Sequence, residues 1–312
     1  MVFELFPFFN ELDILKLHLE VMNPIVDRFV IEESRYTFSG EPKELCFEKN
    51  KEMFKEWLPK IEYVIVDERF DNVAPGVRDV FQKNHLINGL KGASDEDILI
   101  IGDVDEIPNP DVILSLTENF DNTKIYHLAQ RMFYGFLNLE EVSGNLLSVT
   151  GEFDDVPRRK WLGTKVTAKK NLPPEGLFVV RETKTSDARS VRVDDGGWHF
   201  SYMGSHHETD AGKRIQTKIV AAAHQEYNTE DILKEAKDRL ILGQDMFGRN
   251  AKFVRVDIDE SFPEFLREHI KEYDYLILPY AGEFKKALIK LKLKVFRFFR
   301  RAKRKIKRTL KI

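Results

Sequence analysis

The chain has 312 residues, 42% hydrophobic and 32% charged, which is enough for one large domain or two ordinary ones with a full core. No apolar run approaches the roughly 20 residues of a membrane span, residues 1–10 lack the features of a secretory leader, and the single cysteine, Cys46, excludes an intrachain disulfide and fits a reducing compartment. The net charge of −3 is unevenly divided: residues 285–312 hold fourteen Lys/Arg and no Asp/Glu, leaving −3 − 14 = −17 for residues 1–284.

In chain order, residues 2–9 (VFELFPFF) predict a strand that ends at Asn10-Glu11. Leu12, Leu15, Leu17, Leu19 and Met22 predict a first helix, closed at Asn23-Pro24. Residues 28–33 (RFVIEE) predict the second strand, followed by a polar connection over 34–42. Leu45, Phe47, Met53, Phe54, Trp57 and Leu58 predict a helix ended by Pro59, and 61–66 (IEYVIV) a third strand. Past Pro75-Gly76, residues 77–90 carry Val77, Val80, Phe81, Leu86, Ile87 and Leu90 on one helical face. Then comes DILIIGDVDEIPNP at 97–110, whose apolar run predicts a strand buried on both faces. It leads straight into Asp103-Val104-Asp105-Glu106, and Pro108 and Pro110 stop any continuation of strand or helix. This alternation of strands and helices predicts a parallel sheet with helical crossovers. Residues 124–139 predict one long strand or two, and Trp161, 177–180 and 191–193 further short strands. GGWHFSYMG at 196–204 precedes predicted helices over 211–226 and 230–242, and residues 262–279 predict one last helix and an apolar strand.

Carboxylates gathered at the end of a buried strand repel one another and are costly to desolvate, so they call for positive charge. A hard cation, Mn²⁺ or Mg²⁺, prefers such oxygen ligands, and that edge of an open α/β sheet is where ligands bind. A solvated acidic turn is the plain alternative. The chain has neither G-x-x-x-x-G-K-[ST] nor G-x-G-x-x-G, so neither an ordinary NTPase nor a dinucleotide enzyme is supported, and phosphate binding falls to a metal.

Six segments, in order over some 240 residues, carry a resemblance: FFNELDILKLHLE (8–20), FVIEESRYTFSGEPK (29–43), ILIIGDVDEIPNP (98–110), GWHFSYMG (197–204), HQEYN (224–228) and GQDMFGR (243–249). Together they resemble glycosyltransferase family 17. The resemblance implies a GT-A-like fold, a divalent metal, inversion at the anomeric carbon, and N-acetylglucosamine delivered from UDP. The expectation is therefore an α/β protein. Residues 1–284 form a single nucleotide-sugar-binding domain with a mostly parallel central sheet, and residues 285–312 a basic amphipathic helix. The family's Golgi enzymes carry an N-terminal membrane anchor that this sequence lacks, so a cytoplasmic, peripherally membrane-associated enzyme is expected. Residues 133–195 match poorly, which leaves the acceptor open between a glycan and a lipid-linked one. A carbohydrate-binding scaffold and a metal-dependent phosphohydrolase are the rival readings.

Asp105 is expected to bind the metal directly, with Asp103 bound through water or to the donor ribose, and Glu106 pointing away as an acceptor behind them. Asn10 and Glu11 end the first strand and Glu32 and Glu33 the second, so Asn10 or Glu33 could hold the base or ribose; a loop-binding role is the alternative for Glu33. Arg78 could pair with a phosphate through two N–H groups, or form a surface salt bridge. His199, between Trp198 and Phe200, reads as a further metal ligand or a hydrogen-bonded core histidine, and His206-His207 as loop. An inverting transfer needs one carboxylate to take the acceptor's proton. Asp154, Asp155, Asp194, Asp195, Glu226 and Asp245 are available and spacing does not choose among them; Glu226 and Asp245 are carried forward.

In the tail, Leu288, Leu291, Val295, Phe299, Ala302, Ile306 and Leu310 recur at three- and four-residue steps among Lys and Arg. This is the pattern of a helix lying on an anionic membrane. Phe296, Phe298 and Phe299 favour lipid over nucleic acid, the rival partner of basic helices.

Overall fold

The apolar residues alternate along the first strands and so give the sheet two buried faces. In β1 (Val2–Pro7), Phe3 and Leu5 pack into one cluster and Phe6 into another; in β4 (Ile98–Ile101), Leu99 and Ile101 separate from Ile100 the same way. The computed structural model describes residues 1–312 apart from 147–149, 155, 157–158, 205–207 and 311–312, and apart from the side chains of Pro75 and residues 303–310. Asp155, His206, His207 and the side chains of Ile306 and Leu310 thus lie outside the described residues.

Between β1 and β4 come α1 (Leu12–Met22), β2 (Arg28–Ser34), the single turn α2 (Cys46–Lys49), β3 (Ile61–Val66) and α3 (Pro75–His85). The four strands pair in parallel in the order β3-β2-β1-β4, with the crossovers that parallel neighbours require. Next follow β5 (Glu106–Pro108), α4 (Pro110–Glu118), β6 (Ile125–Tyr134), β7 (Leu139–Glu141), β8 (Lys165–Ala168), α5 (Leu177–Arg181) and β9 (Ser190–Ser201). The chain closes with α6 (Ala211–Ala221), α7 (Glu230–Ile241), β10 (Phe253–Arg255), α8 (Glu264–Glu268) and α9 (Glu283–Leu310). The full sheet runs β10-β7-β6-β8-β4-β1-β2-β3, with β9 beside β6 and β5 beside β9. β5, β7 and β8 oppose the remaining strands, so the sheet is mixed but mostly parallel.

Helix α1 covers one face and is buried almost all round: Leu12, Ile14, Leu15, Leu17, Leu19 and Met22 are wholly inaccessible. Burying each such side chain contributes about 1.5–3 kcal/mol. Leu86 and Leu90, together with Leu177 and Val180 of α5, cover the other face, and α6 and α7 pack over a third cluster around Ile215, Leu240 and Met246.

Several elements differ from the sequence reading. The helix expected over 45–58 is broken into α2 and two 3₁₀ turns, Lys51–Phe54 and Leu58–Lys60. Here the Glu33 carboxylate accepts from Cys46 N and Phe47 N and so caps the start of α2, while at its end Asn50 Nδ2 donates to Cys46 O (2.8 Å), a side-chain bond that competes with helix propagation. Residues 177–180 are helical rather than extended, because Leu177 and Val180, three apart, share one buried face and Phe178 N is taken by Asn84 Oδ1 (2.8 Å). Pro110 opens α4 at its first turn behind an Asn109 cap, and Pro108 closes β5, so neither stops structure outright. The helix expected over 211–226 ends at Ala221, and 262–279 hold α8 and a 3₁₀ segment, Ile270–Leu276, with no strand there among the described residues.

Candidate functional site

A cleft of about 520 Å³ lies at the carboxyl ends of the parallel strands. The first half of the chain lines it with Phe8, Phe9 and Glu11 after β1, Tyr36 to Phe38 after β2, Gln82 and Lys83 of α3, and Asp103 to Asp105 after β4. The rest of the chain adds Tyr134 of β6, Trp161, His199 and Ser201 of β9, Tyr202, Lys218 of α6, and His224, Tyr227, Phe247 and Arg249. β9 reaches the aspartates because β5 pairs with it, Glu106 opposite His199, and Phe200 N donates to Asp105 O (2.7 Å). Gly197 makes that approach possible: its φ is +123°, and a Cβ there would stand 2.1 Å from Ile107 O.

The carboxylates meet basic side chains from distant segments. Glu106, fully buried, accepts from Arg181 Nη1 (2.8 Å) and Nη2 (2.7 Å), Trp161 Nε1 (2.6 Å) and Thr164 Oγ1 (2.8 Å). Asp103 pairs with Arg181 and lies 3.4 Å from Lys83 Nζ. Asp105 has His199 Nε2 at 3.4 Å and Lys218 Nζ at 3.7 Å, and Lys218 also pairs with Glu11. Burial opposes the charge of Asp105, but Lys218 and His199 outweigh it and hold the carboxyl below its usual range. Burial likewise opposes charge on His199, and Asp105 overcomes it, raising the imidazole. Arg181 holds Glu106 well down despite its burial. Positive charge thus comes from Lys83, Arg181, Lys218 and His199. The sequence reading named only His199, because Arg181 is 78 residues from Asp103 and no motif marks it.

Of the sequence candidates, Asp103, Asp105 and His199 converge on the cleft. Asn10 flanks it, donating its backbone N–H to Glu11 (2.9 Å), while Glu11 itself lines the wall. The Glu33 carboxylate is committed behind the wall, accepting from Lys43 Nζ (2.8 Å), Tyr63 Oη (2.8 Å) and the start of α2. Arg78 is buried and donates to Phe38 O (3.3 Å) and Phe70 O (2.6 Å), so it orders the loop that presents Phe38 rather than facing the cleft or a surface carboxylate. Glu226 is exposed and lies 3.0 Å from Nδ1 of His224, which lines the cleft. Asp245 is buried and accepts from Phe247 N (3.0 Å), Arg249 N (2.8 Å) and the Arg249 guanidinium (2.8 Å). It shapes the loop that carries Phe247 and Arg249 to the wall. Asp154, Asp194 and Asp195 are exposed away from it.

Among the described residues, no three of His, Cys, Asp and Glu converge to make a metal cage. Asp105 and His199 offer two adjacent ligands, and His199 Nδ1 is buried without a partner among the described residues. Mg²⁺ is commonly held by one or two carboxylates with substrate phosphates and water completing its shell. The residues present fit that open arrangement.

Fold and cleft together define an α/β protein with an open cleft at the carboxyl edge of a parallel half-sheet, the edge at which such sheets bind ligands. Residues 1–143, which include Asp103, Asp105 and Glu106, match the model of glycosyltransferase family 17, and by that match the resemblance read from the sequence is shown. The relationship runs on through most of the chain. The β-1,4-mannosyl-glycoprotein 4-β-N-acetylglucosaminyltransferases of Rattus norvegicus and Homo sapiens are each 30% identical to it over 295 residues, covering 86% of this chain and 53% of theirs. The Mus musculus protein of the same name is 29% identical over the same length. The chain thus spans about half the length of the curated relatives it matches. Among solved structures, a 2-C-methyl-D-erythritol 4-phosphate cytidylyltransferase of Francisella tularensis aligns at 12% identity over 54% of this chain and 73% of that one, with a TM-score of 0.30, too low to carry any argument.

Proposed function

We propose that the protein is a metal-dependent, inverting glycosyltransferase that moves N-acetylglucosamine from UDP to a hydroxyl of a glycan or lipid-linked glycan. The observation that carries the reading is the position of Asp103 and Asp105 on the cleft wall at the end of β4, within the segment that the family match covers. Phe8, Phe9, Tyr36 and Phe38 offer aromatic faces for a nucleoside, and Lys83 and Lys218 flank the aspartates where diphosphate charge would fall. Tyr134, Trp161, Tyr202, Tyr227 and Phe247 provide flat apolar surfaces for sugar rings. Asp105 and His199 are the residues that would hold Mn²⁺ or Mg²⁺, which when bound supplies Lewis-acid stabilisation of the departing diphosphate. In place of the carboxylate base expected from sequence, His224 takes the acceptor's proton, because Asp245 is bound to Arg249; the His224 ring is oriented through Nδ1 by Glu226 and its Nε2 left to accept.

One assay of two variants tests this. Asp105→Asn should abolish transfer with the fold retained, since it removes a charged ligand while Lys218 keeps its pair with Glu11. Glu226→Gln should lower kcat while leaving donor affinity unchanged. Wild-type transfer by Asp105→Asn under saturating donor would overturn the site assignment, and an unchanged kcat in Glu226→Gln would remove its proposed role in orienting His224.

A further inference from the structure

Helix α9 carries two apolar lines on opposite sides. Ile289 and Leu293 are buried, on the side where Arg297 and Arg300 pair with Glu235 and Asp231 of α7; Lys292 pairs with Asp238 of the same helix. These contacts latch α9 to the body. On the other side Phe284, Leu288, Leu291, Val295, Phe298 and Phe299 recur every three or four residues, each exposing between 45% and 79% of its surface. Phe296, grouped with the outward phenylalanines from sequence, instead faces α7, with Lys234 Nζ 5.7 Å from its ring centroid.

Between the two lines lies a groove of about 460 Å³, lined by Leu242 and Gln244 after α7 and by α9 residues including Lys290, Lys294, Arg297, Phe298 and Arg301. Among the described residues its lining holds four cations and no carboxylate. Arg297 is committed to Glu235, whereas Lys290, Lys294 and Arg301 make no ion pair among the described residues. A helix built to track a nucleic-acid backbone would turn its cations outward. Here the outermost line is aliphatic and aromatic, and the free cations flank it. That ordering matches an interface in which acyl chains lie deepest and phosphates beside them.

We propose that α9 docks the protein on an anionic bilayer, its exposed apolar line entering the headgroup boundary and the Lys290–Lys294–Arg301 groove taking a lipid phosphate. The charge of −17 on residues 1–284 would be repelled by the same surface, so attachment is local to α9. The chain passes from Gln244 in the groove to Phe247 and Arg249 in the cleft, so one loop joins the docking surface to the proposed active site.

The test is co-sedimentation of the full chain with vesicles of phosphatidylcholine alone or mixed with phosphatidylglycerol, across a salt series. Two variants leave the α7 latch untouched: Phe298→Ser with Phe299→Ser, and Lys290→Gln with Lys294→Gln and Arg301→Gln. The wild type should bind only the mixed vesicles, less strongly at high salt. The serine pair should lose about tenfold at every salt concentration, and the glutamine triple about tenfold at low salt with little further loss at high salt. Equal binding to neutral vesicles, or full binding by both variants, overturns the proposal. So does a full chain that ignores vesicles while shifting duplex DNA or RNA, or one whose melting temperature rises with inorganic phosphate through the three cations while vesicles stay unbound.

Discussion

His18, on α1, shows how one buried side chain sets the loop that bears the aspartates. Its Nε2 lies 2.9 Å from Glu4 Oε1 and its Nδ1 2.8 Å from Val104 O, the carbonyl between Asp103 and Asp105. Val104 O can only accept and an ionised Glu4 accepts too, so the protonated ring satisfies both partners by donating twice. Burial opposes that charge, and Glu4 outweighs burial, raising the pKa above 6.5. The proton therefore contributes stability in full below pH 6.5, and the contribution is lost as pH rises through the folded value. His18→Gln should destabilise the protein by about 3–5 kcal/mol, because it strands Glu4 in the core. Melting curves check both parts: the wild-type Tm should fall as pH rises above 6.5, and the variant should lack that slope.

At the scale of elements, the site depends on the pairing of β5 with β9, since it sets Glu106 opposite His199 and Asp105 beside them. Gly197 sits in this pairing at a positive φ with Ile107 O too near for any Cβ. Gly197→Ala should force the strands apart, costing about 1–3 kcal/mol for the backbone strain alone and more for the displaced strand. Thermal unfolding should show the loss, and transfer activity should fall further than stability explains because His199 moves from Asp105. A variant as stable and active as wild type would show that the pairing does not set the site. The sequence showed the two glycines Gly196-Gly197 but not their purpose, since a close approach to a segment some 90 residues earlier has no local signature.

For the molecule as a whole, charge is arranged as an acidic body with basic side chains turned inward at the cleft. Lys83, Arg181 and Lys218 neutralise Asp103, Glu106, Glu11 and Asp105, so the diphosphate of the proposed donor would meet a nearly balanced wall. No glycine-rich phosphate loop is present to add backbone amides. UDP affinity should therefore depend on the divalent ion. Calorimetric titration of UDP with Mn²⁺ and then with EDTA should show at least about a tenfold loss on chelation, in line with the tenfold or more that altering a metal's surroundings costs. Equal affinity in both would mean that the lysines suffice to hold the diphosphate.

The sequence by itself determined the parallel half of the sheet, the burial of β4 and the delivery of Asp103 and Asp105 to its carboxyl end, because apolar alternation and buried runs are local and dictate strand and face directly. It also carried the resemblance that the family match shows for residues 1–143. Only the tertiary structure decided which charges face those aspartates. Arg181 and Lys218 lie on helices whose own sequences speak of packing, and an ion pair between residues 78 or more positions apart leaves no mark in either segment. The same holds for α9: its periodicity announced a helix with an apolar stripe, but which line is latched and which is free follows from where Asp231, Glu235 and Asp238 stand on α7. Local periodicity specifies faces, and long-range proximity specifies what each face meets.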